Sequence, residues 1–174
     1  AITACLVGSE MCIRDSVKSD TIIAKVLSDK GSPFLRSIII NKGSKHKINL
    51  GMVVMDGAYL VGKVVEVNYL SSRVLLLSDL NSKIPVIVEP NAVFSILSGT
   101  GKDYGIIQYS KKYEDIKNES VIYTSGAGNL FKAGIPIGRM NINNLSDEKK
   151  VEFFLDFSQL KFVKVVSFKK SENK

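Results

Sequence analysis

Cysteine is nearly absent from this 174-residue chain: Cys5 and Cys12 are its only two, both near the N-terminus. From Val17 onward the sequence therefore has no disulfide, thiolate metal site or cysteine nucleophile to offer. Histidine is rarer still. His46 stands alone between Lys45 and Lys47 in a polar turn. A general base needs an imidazole oriented within reach of a nucleophile, and nothing near His46 in sequence supplies that, so a surface histidine is expected. One histidine without cysteine also excludes the usual nitrogen–sulfur zinc sites. Carboxylates are scattered, with no Asp-x-Asp-x-Asp-Gly loop for calcium. Tryptophan is missing and only four prolines occur, which excludes a Pro-rich linker. No apolar run approaches the roughly 18–20 residues of a membrane helix, and no basic head with an apolar stretch marks a secretory leader.

What is present is a globular composition, 45% hydrophobic, with a formal net charge of +7. The charge suits an anionic neighbour such as nucleic acid, a membrane surface or an acidic polymer, or it serves solubility alone. Residues 1–16 stand apart. Their stretch LVGSEMCIRDS has no hydrophobic period and resembles a translated sequencing adaptor. They are expected to be a non-native leader and are set aside. The native N-terminus is then missing from this sequence.

From Val17 the pattern is of short strands between turn signals. Residues 21–27 (TIIAKVL) and 35–40 (LRSIII) flank the turn cluster Asp29-Lys30-Gly31-Ser32-Pro33. Residues 51–55 and 60–67 flank Asp56-Gly57, a hairpin signal. Gly62 within the return strand predicts a bulge or a close backbone approach. Residues 73–78 and 84–88 are nearly continuous apolar runs, the pattern of strands buried on both faces, with Pro85 expected at a strand start or edge. Residues 92–97 and 105–109 form a further pair, 110–120 read as a solvated loop, and 121–124 and 135–140 flank a Gly-rich loop. Residues 151–158 fit period two, and also a helix capped by Ser146 or Asp147; aromatic enrichment favours strand. Residues 162–168 close the domain and 169–174 form a solvated tail. About ten short strands at this spacing imply an all-β barrel or sandwich.

Two motifs invite chemistry. Gly99-Thr100-Gly101-Lys102 lacks the first glycine of a phosphate loop, since Ile96 stands there, and Asp103 after the lysine would repel phosphate. A hairpin turn is expected. Thr124-Ser125-Gly126-Ala127-Gly128 lacks the Gly-x-Ser-x-Gly elbow, and without a histidine partner Ser125 has no activating base.

Several blocks together resemble one family. Ile40-Asn41-Lys42-Gly43-Ser44, Gly51-Met52-Val53-Val54 and Val61-Gly62-Lys63-Val64 are similar to the first conserved block of MreC proteins. Ser71-Ser72-Arg73-Val74-Leu75-Leu76-Leu77-Ser78-Asp79 with Ile84-Pro85-Val86 is similar to the second. Residues 96–101 (ILSGTG), the Thr124–Gly128 motif and Gly134-Ile135-Pro136-Ile137-Gly138-Arg139 resemble the rest. Order and spacing agree over residues 20–140. Departures fall in turns: His46 and Lys47 stand where the family often has an acid and glycine, Asn129 and Lys132 where it often has glycine and proline. The turn from Asp56 to Leu60 is a residue longer than usual.

The resemblance implies an all-β fold of two small barrel-like domains, similar in topology to chymotrypsin-type barrels but without a catalytic triad. Sequential domains at 17–88 and 89–168 are the expectation, or one inserted in the other. It implies a non-catalytic scaffold of the cell-wall elongation machinery in the periplasm, with no cofactor and no nucleic acid. A membrane helix and a dimerising coiled coil would precede Val17. The implied partners are the elongation-specific penicillin-binding transpeptidase, MreD, RodA and MreB, with a homodimer or filament of the chain itself. Leu130 and Phe131 in the Gly-rich loop, and Tyr59 beside the Asp56-Gly57 turn, are candidate partner-binding residues, because apolar groups in turns can anchor interfaces. For Phe131 the competing reading is a plug at a barrel end. Two other functions remain open: a basic β-barrel binding nucleic acid, which would interleave exposed aromatics with Lys and Arg, and a protease-like hydrolase, which would lose turnover on Ser125→Ala.

Overall fold

The computed structural model describes residues 20–28, 36–108, 116–142 and 148–168. Twelve strands and no α-helix occur among them. They are β1 (Thr21–Ser28), β2 (Ser37–Ile40), β3 (Val53–Asp56), β4 (Tyr59–Val67), β5 (Ser72–Leu76) and β6 (Lys83–Glu89). Then follow β7 (Val93–Gly99), β8 (Tyr104–Gln108), β9 (Val121–Thr124), β10 (Pro136–Ile142), β11 (Lys149–Phe153) and β12 (Phe162–Val166).

Two closed barrels result. One runs β1-β12-β3-β4-β5-β2 and the other β10-β11-β8-β7-β6-β9. The second barrel is thus inserted between β5 and β12 of the first. Of the two arrangements expected, the inserted one fits this order and a sequential division at residue 88 does not: β6 belongs to the second barrel, and β12 returns to close the first between β1 and β3. Local periodicity marks a strand but not its partner, and the partners of β12 lie a hundred residues or more upstream. The leader 1–16 and the tail 169–174 lie outside the described residues.

Alternation builds the interiors. In β6, Ile84, Val86 and Val88 are buried while Pro85 and Ile87 face outward and are half-buried. Both faces of this strand were expected to be buried; the closed barrel instead gives it one interior face. Pro85 loses little there, because its carbonyl accepts the Ser125 N–H at 3.1 Å where the pairing with β9 begins. Its missing N–H would have completed only that terminal pair. Residues 149–153 are strand rather than helix, and a short 3-10 turn follows at Phe157–Gln159. Within the expected solvated stretch 110–120, residues 110–115 lie outside the described residues, but Ile116 and Ser120 are buried.

Gly62 fulfils both of its expectations. The β3–β4 register shifts between Val54 and Met55, opposite Gly62 and Leu60, leaving Val61 as the extra residue. A Cβ on Gly62 would run into the Leu75 carbonyl of β5. The hairpin before it has a two-residue loop, Gly57-Ala58, with Gly57 at φ +59°.

The connection between the barrels, residues 77–82, is pinned on both sides. Asp79 is fully buried, and its carboxylate accepts the Arg36 N–H and the Asn81 N–H, each at 2.7 Å. Leu77 N–H donates to the Val61 carbonyl of the first barrel. From the second barrel, Gly101 N–H donates to Ser78 at 2.7 Å and Gly99 N–H to Ser82 at 3.1 Å. A Cβ at Gly99 would strike the Asp79 and Leu77 carbonyls. Arg36 also reaches across to Asp103 of the β7–β8 turn at 2.7 Å.

Candidate partner-binding surface

Because both barrels close, every strand is paired on each side. Docking by adding a strand to a free edge is therefore unavailable to these strands, and loops and outward side chains are what remain for recognition. Of the candidate residues, Tyr59 lies at the seam between the barrels, and Leu130 and Phe131 lie in the loop between β9 and β10.

The loop 125–134 is locked by its own backbone. Thr124 Oγ1 donates to the Lys132 carbonyl at 2.5 Å and accepts the Ile135 N–H at 2.9 Å. Gly126, Gly128 and Gly134 take φ of +72°, +74° and +88°, values that cost a glycine nothing. This geometry turns Phe131 inward, where it is 5% exposed and packs in the hydrophobic core. Phe131 is thus interior and not on the surface. Leu130 beside it is left 48% exposed. The sequence placed both in a turn, and the burial of Phe131 agrees with its competing reading as an interior plug rather than a surface anchor.

Tyr59 begins β4 in the first barrel and crosses the seam. Its ring lies 5.6 Å from that of Phe154, which follows β11 of the second barrel. The Arg139 guanidinium sits 6.0 Å from the Phe154 ring centre on its other contact. Phe154 is fixed by its N–H to the Ile137 carbonyl at 3.1 Å. The loop 125–134, the 77–82 connection and the return segment after β11 all leave the second barrel at one end, as the β6–β9 and β10–β11 registers require. Tyr59, Phe154 and Arg139 therefore form one partly exposed amphipathic cluster, and the loop that carries Leu130 leaves the second barrel at the same end. Phe154 and Arg139 were missed in the sequence, because alternation assigned Phe154 to a strand and gave no cross-barrel neighbour.

The return segment carries one perturbed acid. Asp156 caps the Phe157–Gln159 turn, accepting from the Ser158 hydroxyl at 2.6 Å and the Ser158 N–H at 2.9 Å. These bonds hold its carboxyl below the usual carboxylate range. Next along the aromatic row, Phe153 meets Phe157 edge-on at 5.3 Å.

The residues singled out for catalysis are separated. His46 lies in a 3-10 turn of the first barrel, half-buried, its Nδ1 accepting the Gly43 N–H at 3.2 Å. It is thus oriented, unlike the expectation, but by its own turn. Ser125 lies in the second barrel and its Oγ accepts the Ala127 N–H at 3.2 Å. Gly99–Lys102 is a hairpin turn, with Thr100 Oγ1 donating to the Tyr104 carbonyl. Among the described residues no group of three or more His, Cys, Asp or Glu is placed to hold a metal, and no helix is long and apolar enough to cross a membrane.

This architecture defines a double-barrel β-protein with one barrel inserted in the other. The family model for "Rod shape-determining protein MreC, barrel core" matches residues 26–167, and the chain belongs to the MreC family. It is 31% identical over 154 residues to the cell shape-determining protein MreC of Cereibacter sphaeroides, covering 88% of this chain and 51% of that protein. It is 32% identical over 146 residues to the same protein of Caulobacter vibrioides, covering 84% and 42%. The chain thus spans about half the length of these relatives or less. The crystal structure of MreC from Pseudomonas aeruginosa superimposes with a TM-score of 0.77 at 28% identity, over 85% of this chain and 99% of that one. A complex between a penicillin-binding protein (PBP2) and MreC from Helicobacter pylori matches with a TM-score of 0.64 at 14% identity, covering 86% and 99%, a likeness of fold.

Proposed function

We propose that this chain is the periplasmic β-part of a non-enzymatic scaffold for cell-wall elongation, and that its seam face binds the elongation-specific penicillin-binding transpeptidase. The observation that carries the reading is family membership across both barrels, joined to a same-fold MreC bound to a penicillin-binding protein. The seam suits this role physically. It offers two rings beside one guanidinium, and the 125–134 loop at the same end of the second barrel adds the exposed Leu130, side-chain types that can anchor interfaces. The 77–82 connection holds the two barrels in a fixed relation, so the face is pre-organised. Docking there shifts the enzyme between conformations to the extent that the two bind unequally. Anchoring by a membrane helix, self-association into dimers or filaments, and contacts with MreD, RodA and MreB complete the proposal; tethering raises effective concentration, so modest contacts suffice. No cofactor and no nucleic acid enter it.

The test is a calorimetric titration of the chain with the soluble periplasmic part of the transpeptidase from the same organism. Saturable binding that weakens about tenfold or more in Tyr59→Ser/Leu130→Ser supports the reading, each anchor contributing on the order of 1 kcal/mol or more. Peptide or ester hydrolysis lost on Ser125→Ala would replace it with the hydrolase reading.

A further inference from the structure

The first barrel ends in a two-loop tip that the seam does not use. Residues 41–51 and 67–72 are stitched together through the backbone: Ser44 N–H donates to the Asn68 carbonyl at 2.9 Å and Lys45 N–H to the Tyr69 carbonyl at 3.1 Å. Ser72 Oγ donates to the Lys42 carbonyl at 2.8 Å. Gly43 is packed so closely that any Cβ would collide with Asn68, Tyr69 and Ser71 backbone atoms. On this rigid base Leu50, Tyr69 and Leu70 are 62%, 65% and 57% exposed. Lys45 and Lys47 are exposed beside them, and the Lys45 ammonium lies 6.0 Å from the centre of the Tyr69 ring. Neither loop contains an acidic residue; Glu66, the nearest along the chain, is paired with Arg73 at 3.0 Å.

We infer that this tip docks on an anionic lipid bilayer. The occupant follows from charge and shape together. Two exposed lysines in loops that carry no acid attract a negative surface, with Asp20 before β1 the exposed acid at this end of the barrel. Three projecting apolar groups are more than such attraction needs, and they suit the headgroup boundary, where a tyrosine ring places its apolar body inward and its hydroxyl in water. A hydrogen-bonded base keeps the loops from collapsing onto the barrel, so little ordering entropy opposes insertion. The contact is separate from the seam and independent of transpeptidase binding.

The experiment is co-sedimentation of the whole chain with vesicles of phosphatidylcholine alone and of phosphatidylcholine with 30% phosphatidylglycerol (about the anionic content needed for a strong surface potential). Binding to the anionic vesicles, weakened by salt, is expected. Lys45→Gln/Lys47→Gln is expected to reduce it about tenfold or more, and Tyr69→Ser/Leu70→Ser to reduce it similarly with an unchanged far-ultraviolet circular dichroism spectrum. Equal binding of all three proteins overturns the inference. So does a Tyr69→Ser/Leu70→Ser variant that loses self-association in sedimentation velocity while keeping vesicle binding, which would assign the tip to a second copy of the chain.

Discussion

Replacing Asp79 with alanine removes a carboxylate that serves the junction of both barrels. It accepts two backbone N–H groups, from Arg36 and Asn81, at 2.7 Å each, and it is fully buried. A hydrogen bond to a charged acceptor contributes about 1.5–3 kcal/mol, so the two sum to roughly 3–6 kcal/mol. Releasing a buried carboxylate from its desolvation penalty offsets part of that, and both donors are partly reachable by water. A net loss of about 2–4 kcal/mol is expected. With a urea slope of about 2 kcal/mol/M, the midpoint falls by roughly 1–2 M. Asp79→Asn keeps one acceptor oxygen and turns an amide toward the other donor, so about half the loss is expected. Urea unfolding followed by circular dichroism measures the midpoint. Hydrogen exchange then asks where protection is lost: Gly99 and Gly101 of the second barrel bond to this same segment, so both barrels are expected to open more readily. A midpoint shift under about 0.3 M for Asp79→Ala, or lost protection confined to the first barrel, would refute the reasoning.

Three further outcomes follow from the packing. Phe131→Ala is expected to cost about 3–5 kcal/mol in urea unfolding, whereas Leu130→Ser next to it stays within about 0.5 kcal/mol, because only the first is in the core. Gly62→Ala is expected to destabilise by about 1–3 kcal/mol or to unfold the first barrel, since the methyl meets the Leu75 backbone carbonyl and not a side chain that can turn away. Asp156 has a depressed carboxyl pKa in the folded chain, so its contribution is present above the ordinary carboxylate pKa and lost as pH falls through the depressed value. Asp156→Ala is thus expected to melt below the wild type at pH 7, with the gap closing in acid; a gap that widens in acid contradicts the cap.

The sequence carried the local part of this structure well and the non-local part poorly. Hairpins such as β3–β4 were legible because Asp56-Gly57 marks the turn and alternation marks its arms. The Gly62 bulge was legible because a glycine inside a strand has few other reasons to be there. The return of β12 was not, since pairing Thr21 with Val166 leaves no trace in the period of either strand. Barrels were among the expected folds, but the strand order that closes each one was hidden, and with it the pairing that leaves the described strands no free edge for docking by strand addition. Of the candidate residues, Tyr59 and Leu130 were found as apolar residues in turns. The inward turn of Phe131 depends on the Thr124 hydroxyl bonding to Lys132 and Ile135. Phe154 depends on a neighbour from the other barrel. Both are facts of three-dimensional packing that no spacing rule reports.

The most direct test of the scaffold account is a hydrogen-exchange footprint of the chain bound to its own organism's elongation transpeptidase. The account predicts slowed exchange in the backbone around Tyr59, residues 126–134 and Phe154, with β7 and β8 unchanged. Slowed exchange on β7 and β8 with no change at these three segments, or no complex at concentrations of about 100 μM (near the weak end of specific recognition), would contradict it.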